Sequence, residues 1–155
     1  MSQGKRFAPI IVLILSFILL QGILTALDAR QTPTKTARAF IQDYYYLDPG
    51  MQDYVTAEQR AAGTVLDFLN AKTDEAALQG YDIAFLRHMF TRIHLNTISN
   101  EGDTARVNIT GTTRVAINPV YNVIGTLFRL GKTYPVDVTL DLVREGGQWR
   151  VSQLP

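Results

Sequence analysis

The 155-residue sequence contains no cysteine. Disulfide frameworks, thiol nucleophiles, cysteine metal sites and a lipidated lipoprotein-type cysteine are thereby excluded. The redox compartment stays open, because a cysteine-free chain works on either side of a membrane. Acidic residues are missing before Asp28, and from there onward 13 basic residues face 14 acidic ones. A domain so close to neutral has no clustered basic surface with which to displace counterions, so nucleic acid is not an expected partner. A glycine-rich phosphate loop is also missing, since Gly146-Gly147 reads as a hairpin turn. No internal repeat or low-complexity tract is present. With 46% hydrophobic and 19% charged residues, the chain is neither disordered nor a multi-span membrane protein. Its length suits one domain plus an appendage.

The appendage is the stretch Phe7–Leu27, FAPIIVLILSFILLQGILTAL, which carries no charge and has 14 Leu, Ile, Val or Phe among its 21 residues. As a helix it measures about 31 Å, close to the ~30 Å of a hydrocarbon core. Insertion of those side chains gains roughly 4–8 kcal/mol before the smaller costs of Ser16, Gln21 and Gly22. Pro9 falls in the first turn, where a missing N–H breaks no internal bond. The rival reading is a cleaved signal peptide with Lys5-Arg6 as its basic region and Ala8–Leu20 as its apolar region. Its cleavage site is poor, because Leu24-Thr25-Ala26 and Leu27-Asp28-Ala29 each place Leu three residues before the cut. Residues 1–6 therefore read as a short basic tail, 7–27 as a transmembrane signal anchor and 28–31 as a stalk. Lys5 and Arg6 precede the span while Arg30, Lys35 and Arg38 follow it, so the positive-inside bias is nearly balanced. The expected arrangement is a single pass through the inner membrane with the domain outside the cytoplasm.

Residues 32–155 read as an α+β domain. Thr32 as N-cap and Pro33 at the first helical position open a helix of about 14 residues. Ala37, Phe40, Ile41, Tyr44 and Leu47 share its apolar face, and Asp48-Pro49-Gly50 stops it. Thr56 with Gln59 fits a capping box for a second helix reaching Lys72, weakened at Gly63, with Val65, Leu66, Phe68 and Leu69 on its buried side. Asp74 caps a short third helix through Leu78. Beyond Phe85 the period changes to two. Ala105, Val107, Ile109, Gly111, Thr113, Val115 and Ile117 alternate with polar residues, as in a half-buried strand. Met89–Ile98 is its hairpin partner through residues 100–103, and Val136–Leu142 is the next strand. Glu145-Gly146-Gly147 then turns into a last strand carrying Trp149 and Val151. About three helices followed by a four-stranded antiparallel meander argue for α+β.

The segments TKTARAFIQDYY (Thr34–Tyr45), DTARVNITG (Asp103–Gly111) and LVREGGQWRVSQL (Leu142–Leu154) resemble the nuclear-transport-factor-2-like superfamily. Its cystatin-like, cone-shaped fold is shared by ketosteroid isomerases and SnoaL-like proteins. The resemblance covers about residues 32–155 and implies a curved sheet wrapped around the first helix, closed by a strand with a Trp-x-Val pattern. A single N-terminal span before such a domain is similar in layout to Mce-associated membrane proteins and to the inner-membrane assembly factor of type IV secretion systems. In both groups the domain scaffolds a complex of the bacterial envelope.

Isomerases of the superfamily need a base in an apolar cavity and an acidic donor such as Tyr. Asp43, Tyr44, Tyr45, Tyr46, Asp48 and Tyr54 cluster around the end of the first helix, but its inward face (Phe40, Ile41, Tyr44) holds no ionisable base. The plainer reading has Tyr44 filling core and Tyr45 and Tyr46 covering the helix end. His88 and His94, six apart on one continuous strand, would share a face at about 20 Å, too far for a common metal. No catalytic residue, cofactor or metal is expected. The segment Pro119–Lys132 (PVYNVIGTLFRLGK) joins two long strands, lacks acids and is apolar where a hairpin tip is usually polar. Either the strands run on through it into core or a covered edge, or it contacts a partner or a membrane through Val120, Tyr121, Ile124, Leu127, Phe128 and Arg129. The expected function is a membrane-anchored, non-enzymatic scaffold or accessory subunit of a membrane-associated complex. Its partners are the bilayer through residues 7–27 and either a membrane protein or further copies of itself. A module binding a small apolar ligand in the cone and a SnoaL/ketosteroid-isomerase-like enzyme are the alternatives.

Overall fold

The computed structural model describes residues 12–21, 31–115 and 132–155. The chain divides into two compact units, residues 1–31 and Thr32–Pro155. In the first unit residues 12–21 are helical (α1). Their large apolar side chains, from Val12 to Leu20, are all between 51% and 70% exposed. Among the described residues no helix is long and apolar enough to cross a membrane. The expected span reaches past α1 at both ends, and its residues 7–11 and 22–27 lie outside the described residues.

The second unit is α+β, with helices first and then an antiparallel sheet of four strands in sequence order. Helix α2, Pro33–Tyr46, begins as its sequence predicts: Thr32 is extended, its hydroxyl accepts from Lys35 N–H at 3.2 Å, and Pro33 follows it. The helix ends where Leu47 turns left-handed (φ 56°) and its N–H caps the last turn. Phe40 and Ile41 are fully buried, which stabilises the fold by roughly 1.5–3 kcal/mol each. Asp48-Pro49-Gly50 does more than stop α2. Asp48 accepts from Gly50 N–H at 2.8 Å and starts a 3-10 segment, η1 (Pro49–Tyr54), which buries Met51.

The second helix departs from expectation. It divides into α3 (Ala57–Ala61) and α4 (Thr64–Leu78) because Gly63 adopts a left-handed φ of 72°. Thr56 does cap α3, accepting from Gln59 N–H at 3.3 Å. Asp74 caps nothing, since α4 runs straight through it and absorbs the expected third helix. Leu66 is exposed rather than buried. The covered stripe of α4 follows Val65, Phe68, Leu69 and Ala76, and a residue 100° away from Val65 falls outside it. A second 3-10 segment, η2 (Ile83–Leu86), leads into the sheet.

Strands β1 (His88–Glu101), β2 (Thr104–Val115), β3 (Thr133–Glu145) and β4 (Gln148–Val151) form the meander. Helix α2 packs on one face of it, against all four strands. Between them lies the core of Phe40, Ile41, Met51, Val55, Val107, Ile109, Leu140, Leu142, Trp149 and Val151, all buried. The opposite face is wet and cross-linked: Arg106 holds Asp141 at 2.6 Å, and Asn108 donates to Asp137 at 2.7 Å. Two irregularities interrupt the β1–β2 register, one between Thr97 and Ser99 and one between Thr91 and His94. Thr91 pairs with Thr112 and His94 with Thr110, so Arg92 and Ile93 together oppose Gly111 in a β-bulge. Arg92 takes a positive φ of 53°, and the Phe90 ring occupies the space a side chain at position 111 would need.

Candidate functional site

The sequence-predicted contact residues Val120, Tyr121, Ile124, Leu127, Phe128 and Arg129 lie outside the described residues. What the structure places next to them in sequence is the end of β2 at Val115 and the start of β3 at Thr133. At this end of the sheet a hollow of about 300 Å³ opens between α2, α4, η2 and β1, lined by Tyr44, Tyr45, Leu47, Phe68, Leu86 and His88, with Lys72 and Glu75 also on its wall.

Each lining residue is positioned for a local reason. Tyr44 lies one turn beyond Phe40 on the apolar stripe of α2 (centroids 5.9 Å apart) and stacks on Phe68 of α4 at 4.7 Å and 17°. Its hydroxyl donates to the Pro155 carbonyl at 3.1 Å, which removes the cost of half-burying it. Tyr45 meets Tyr44 and Phe90 edge-on at 5.4 and 5.2 Å. Burial raises both phenols above their ordinary value. Tyr46 points elsewhere, its ring lying under the Arg87 guanidinium at 5.3 Å. On α4, one turn below Phe68, Lys72 pairs with Glu75 at 2.6 Å.

His88 starts β1 and faces the same side of the sheet as Phe90. Its Nδ1 lies 3.4 Å from the Thr113 hydroxyl, and its ring is 5.8 Å from that of Tyr134. Burial lowers its pKa, which favours the neutral imidazole. The inward face of α2 carries Phe40, Ile41 and Tyr44, and an ionisable base, His88, reaches the hollow from the sheet. The signal for it was the period-two alternation, which puts position 88 in phase with Phe90 and, across the pairing, with Thr113.

The two histidines do not share a face. The bulge at Arg92-Ile93 shifts the alternation by one residue, so His88 pairs with Val115 on the core side and His94 with Thr110 on the wet side. An unbroken strand was the wrong premise. Among the described residues no three His, Asp or Glu are grouped to hold a metal ion. Of the carboxylates around the end of α2, Asp48 caps η1, and Asp43 has its pKa raised by burial first and then by Asp48 and Asp53. The hollow can accept a flat apolar group against three aromatic rings, with a neutral imidazole at one wall and an ion pair at another. No family model matches the chain, and no curated protein matches it.

Proposed function

We propose that the chain is a membrane-anchored, non-enzymatic scaffold or accessory subunit of a membrane-associated protein complex. In this reading residues 7–27 span the inner membrane and a cone-like domain of the nuclear-transport-factor-2 type, residues 32–155, stands outside the cytoplasm. The observation that carries the reading is α1, apolar on every side and with each of its large side chains more than half exposed. A helix hydrophobic all round is stable only inside a bilayer or a partner. The domain adds support, because its interior is filled by its own side chains from Phe40 to Val151. A tether confines such a domain beside the bilayer and raises its effective concentration against a membrane partner. Partner contact is assigned to Val120, Tyr121, Ile124, Leu127, Phe128 and Arg129.

Affinity purification from detergent-solubilised membranes tests the proposal. Co-purifying subunits are expected, and full-length protein should resist alkaline carbonate extraction. Leu127→Ser with Phe128→Ser should reduce complex recovery while the domain keeps its cooperative melt. Recovery of the tagged protein alone and monomeric, or its release by carbonate, would overturn the reading. The hollow beside Tyr44 and Phe68 favours a second reading, a module that binds a small apolar ligand. A hydrophobic small molecule retained through purification, and lost on Phe68→Ala, would be its mark.

A further inference from the structure

Most polar side chains on the wall of the hollow beside Tyr44 and Phe68 are already paired. The Tyr44 hydroxyl donates to the Pro155 carbonyl at 3.1 Å, and Lys72 and Glu75 pair with each other at 2.6 Å. Two groups are left over. Among the described residues the Tyr45 hydroxyl and Nε2 of His88 have no hydrogen-bond partner, and both stay accessible instead of being sealed in the core. The rest of the wall is apolar, made of the Tyr44 and Phe68 rings with Leu47 and Leu86.

We propose that this hollow binds a phenol-class ligand, a flat uncharged aromatic ring whose edge hydroxyl hydrogen-bonds the His88 imidazole. The inference rests on the ligand-module reading, the second given above, and names the chemistry of its ligand. The ring follows from the wall: Tyr44, Tyr45 and Phe68 already meet one another stacked and edge-on, and a further ring in such a cluster gains more than its buried area alone supplies. The lack of charge follows from the Lys72–Glu75 pair, which a charged ligand would have to break or enter beside without a free counter-ion. The hydroxyl follows from His88. Its Nδ1 lies 3.4 Å from the Thr113 hydroxyl, and either atom can donate there, which leaves Nε2 as acceptor in one case and donor in the other. A hydroxyl matches both states, whereas a carbonyl or an N–H matches one. The Tyr45 hydroxyl offers the same choice. A volume of about 300 Å³ stands at the lower end for small-molecule pockets and suits one or two rings.

The test uses full-length protein in phosphatidylcholine nanodiscs, dialysed to equilibrium against β-naphthol or naphthalene, with empty discs at equal lipid subtracted. The ratio of β-naphthol to naphthalene affinity should fall about fivefold on His88→Leu, equivalent to the ~1 kcal/mol net of one hydrogen bond. Using the ratio cancels the difference in hydrophobicity between the probes. His88→Gln, whose amide both donates and accepts, should keep most of the wild-type ratio. Decahydro-β-naphthol, the same hydroxyl on a puckered saturated skeleton, should bind at least about threefold more weakly than β-naphthol. Histidine-selective nitrogen NMR reads the contact without any substitution: β-naphthol should move the His88 ring signals more than naphthalene does and leave those of His94, on the wet face, in place. An unchanged affinity ratio in a folded His88→Leu variant, equal binding of the saturated alcohol, or His88 signals that respond alike to both probes overturns the proposal while the apolar-ligand reading stands. Binding of neither aromatic probe beyond empty discs is a separate outcome, which removes the ligand-module reading and this inference with it.

Discussion

Replacing Gly111 by Ala tests the geometry of the β-bulge in β1. A Cβ at this position would come closer than 3.0 Å to Cε1 of Phe90 and would stand 3.0 and 3.1 Å from the carbonyl oxygens of Thr91 and Arg92. The ring cannot swing away freely, because Phe90 is 6% exposed and held edge-on by Tyr45. The oxygens belong to the bulge, whose left-handed Arg92 already lies in a conformation costing about 1–2 kcal/mol. A methyl forced into a packed site typically costs about 1–3 kcal/mol. With both a core ring and two backbone atoms obstructing it, the upper part of that range, about 2–3 kcal/mol, is expected. Urea denaturation of residues 32–155, which contain the whole described core, measures the change as a shift in midpoint at constant slope. The source of the cost is identified by a cycle: in a Phe90→Leu background the same substitution should cost at least about 1 kcal/mol less, since neighbours in contact couple by that order. A Gly111→Ala penalty below about 0.5 kcal/mol, the level of a neutral surface change, would refute the claim that Phe90 and the bulge depend on the missing side chain.

Other expectations follow from single residues. Phe40 is completely buried at the centre of α2, so Phe40→Ala should cost about 3–5 kcal/mol, read as a lost or strongly shifted urea transition. His88 has its pKa lowered by burial from the ordinary 6.5. As pH falls through that value the unfolded chain takes up the proton and the folded one does not, so this contribution to stability is present above it and lost below it. Melting temperature should therefore drop on acidification below about pH 6.5, and His88→Gln should flatten that drop; an unchanged slope would show that the imidazole is not desolvated. Asp43 runs the other way, with its pKa raised from 3.8 by burial and by Asp48 and Asp53, so its charge opposes folding at neutral pH and ceases to do so once protonated. Asp43→Asn should raise the urea midpoint at neutral pH and leave it unchanged in strong acid.

Features fixed by local chemistry were legible in the sequence. The Thr32-Pro33 start of α2, its Ala37-Phe40-Ile41 stripe, the Thr56 cap and the turn before Trp149 needed only neighbours within a few residues. The strand order followed because meander turns at residues 100–103 and 145–147 leave little choice of pairing. The misread features depend on long-range packing. Gly63 reads as a weak helix residue, yet it divides α3 from α4, because its left-handed φ ends one helix and redirects the chain. Nothing in HMFTRIHLN marks a bulge, since Arg92 carries a conformation usually left to glycine; the signal was across the sheet, in a glycine at position 111 interrupting an otherwise branched strand. That single inserted residue also moved His94 off the face of His88. Likewise, the Tyr44–Phe68 stack and the His88–Thr113 contact join residues 24 and 25 apart, and neither pair has a local sequence signature.

The polarity of the surfaces limits where the domain can meet another molecule. One face of the sheet is covered by α2, and the other is tied by Arg106–Asp141, Asn108–Asp137 and Thr91–Thr112 into a polar lattice. Such a lattice is already satisfied, so a partner covering it would desolvate ion pairs and hydrogen bonds without gaining apolar area. Apolar area is available elsewhere among the described residues: at the Tyr44–Phe68 hollow, and at Leu78, Tyr81 and Phe85 where α4 passes into η2. Leu78 is 89% exposed, and the Tyr81 and Phe85 rings lie 5.8 Å apart. Binding energy concentrates on buried aromatic and aliphatic anchors rather than on satisfied polar rims. If the proposed scaffold role is right, substitutions to Ser at Leu78 and Phe85 should reduce co-purification of partner subunits more than Arg106→Ala or Asn108→Ala.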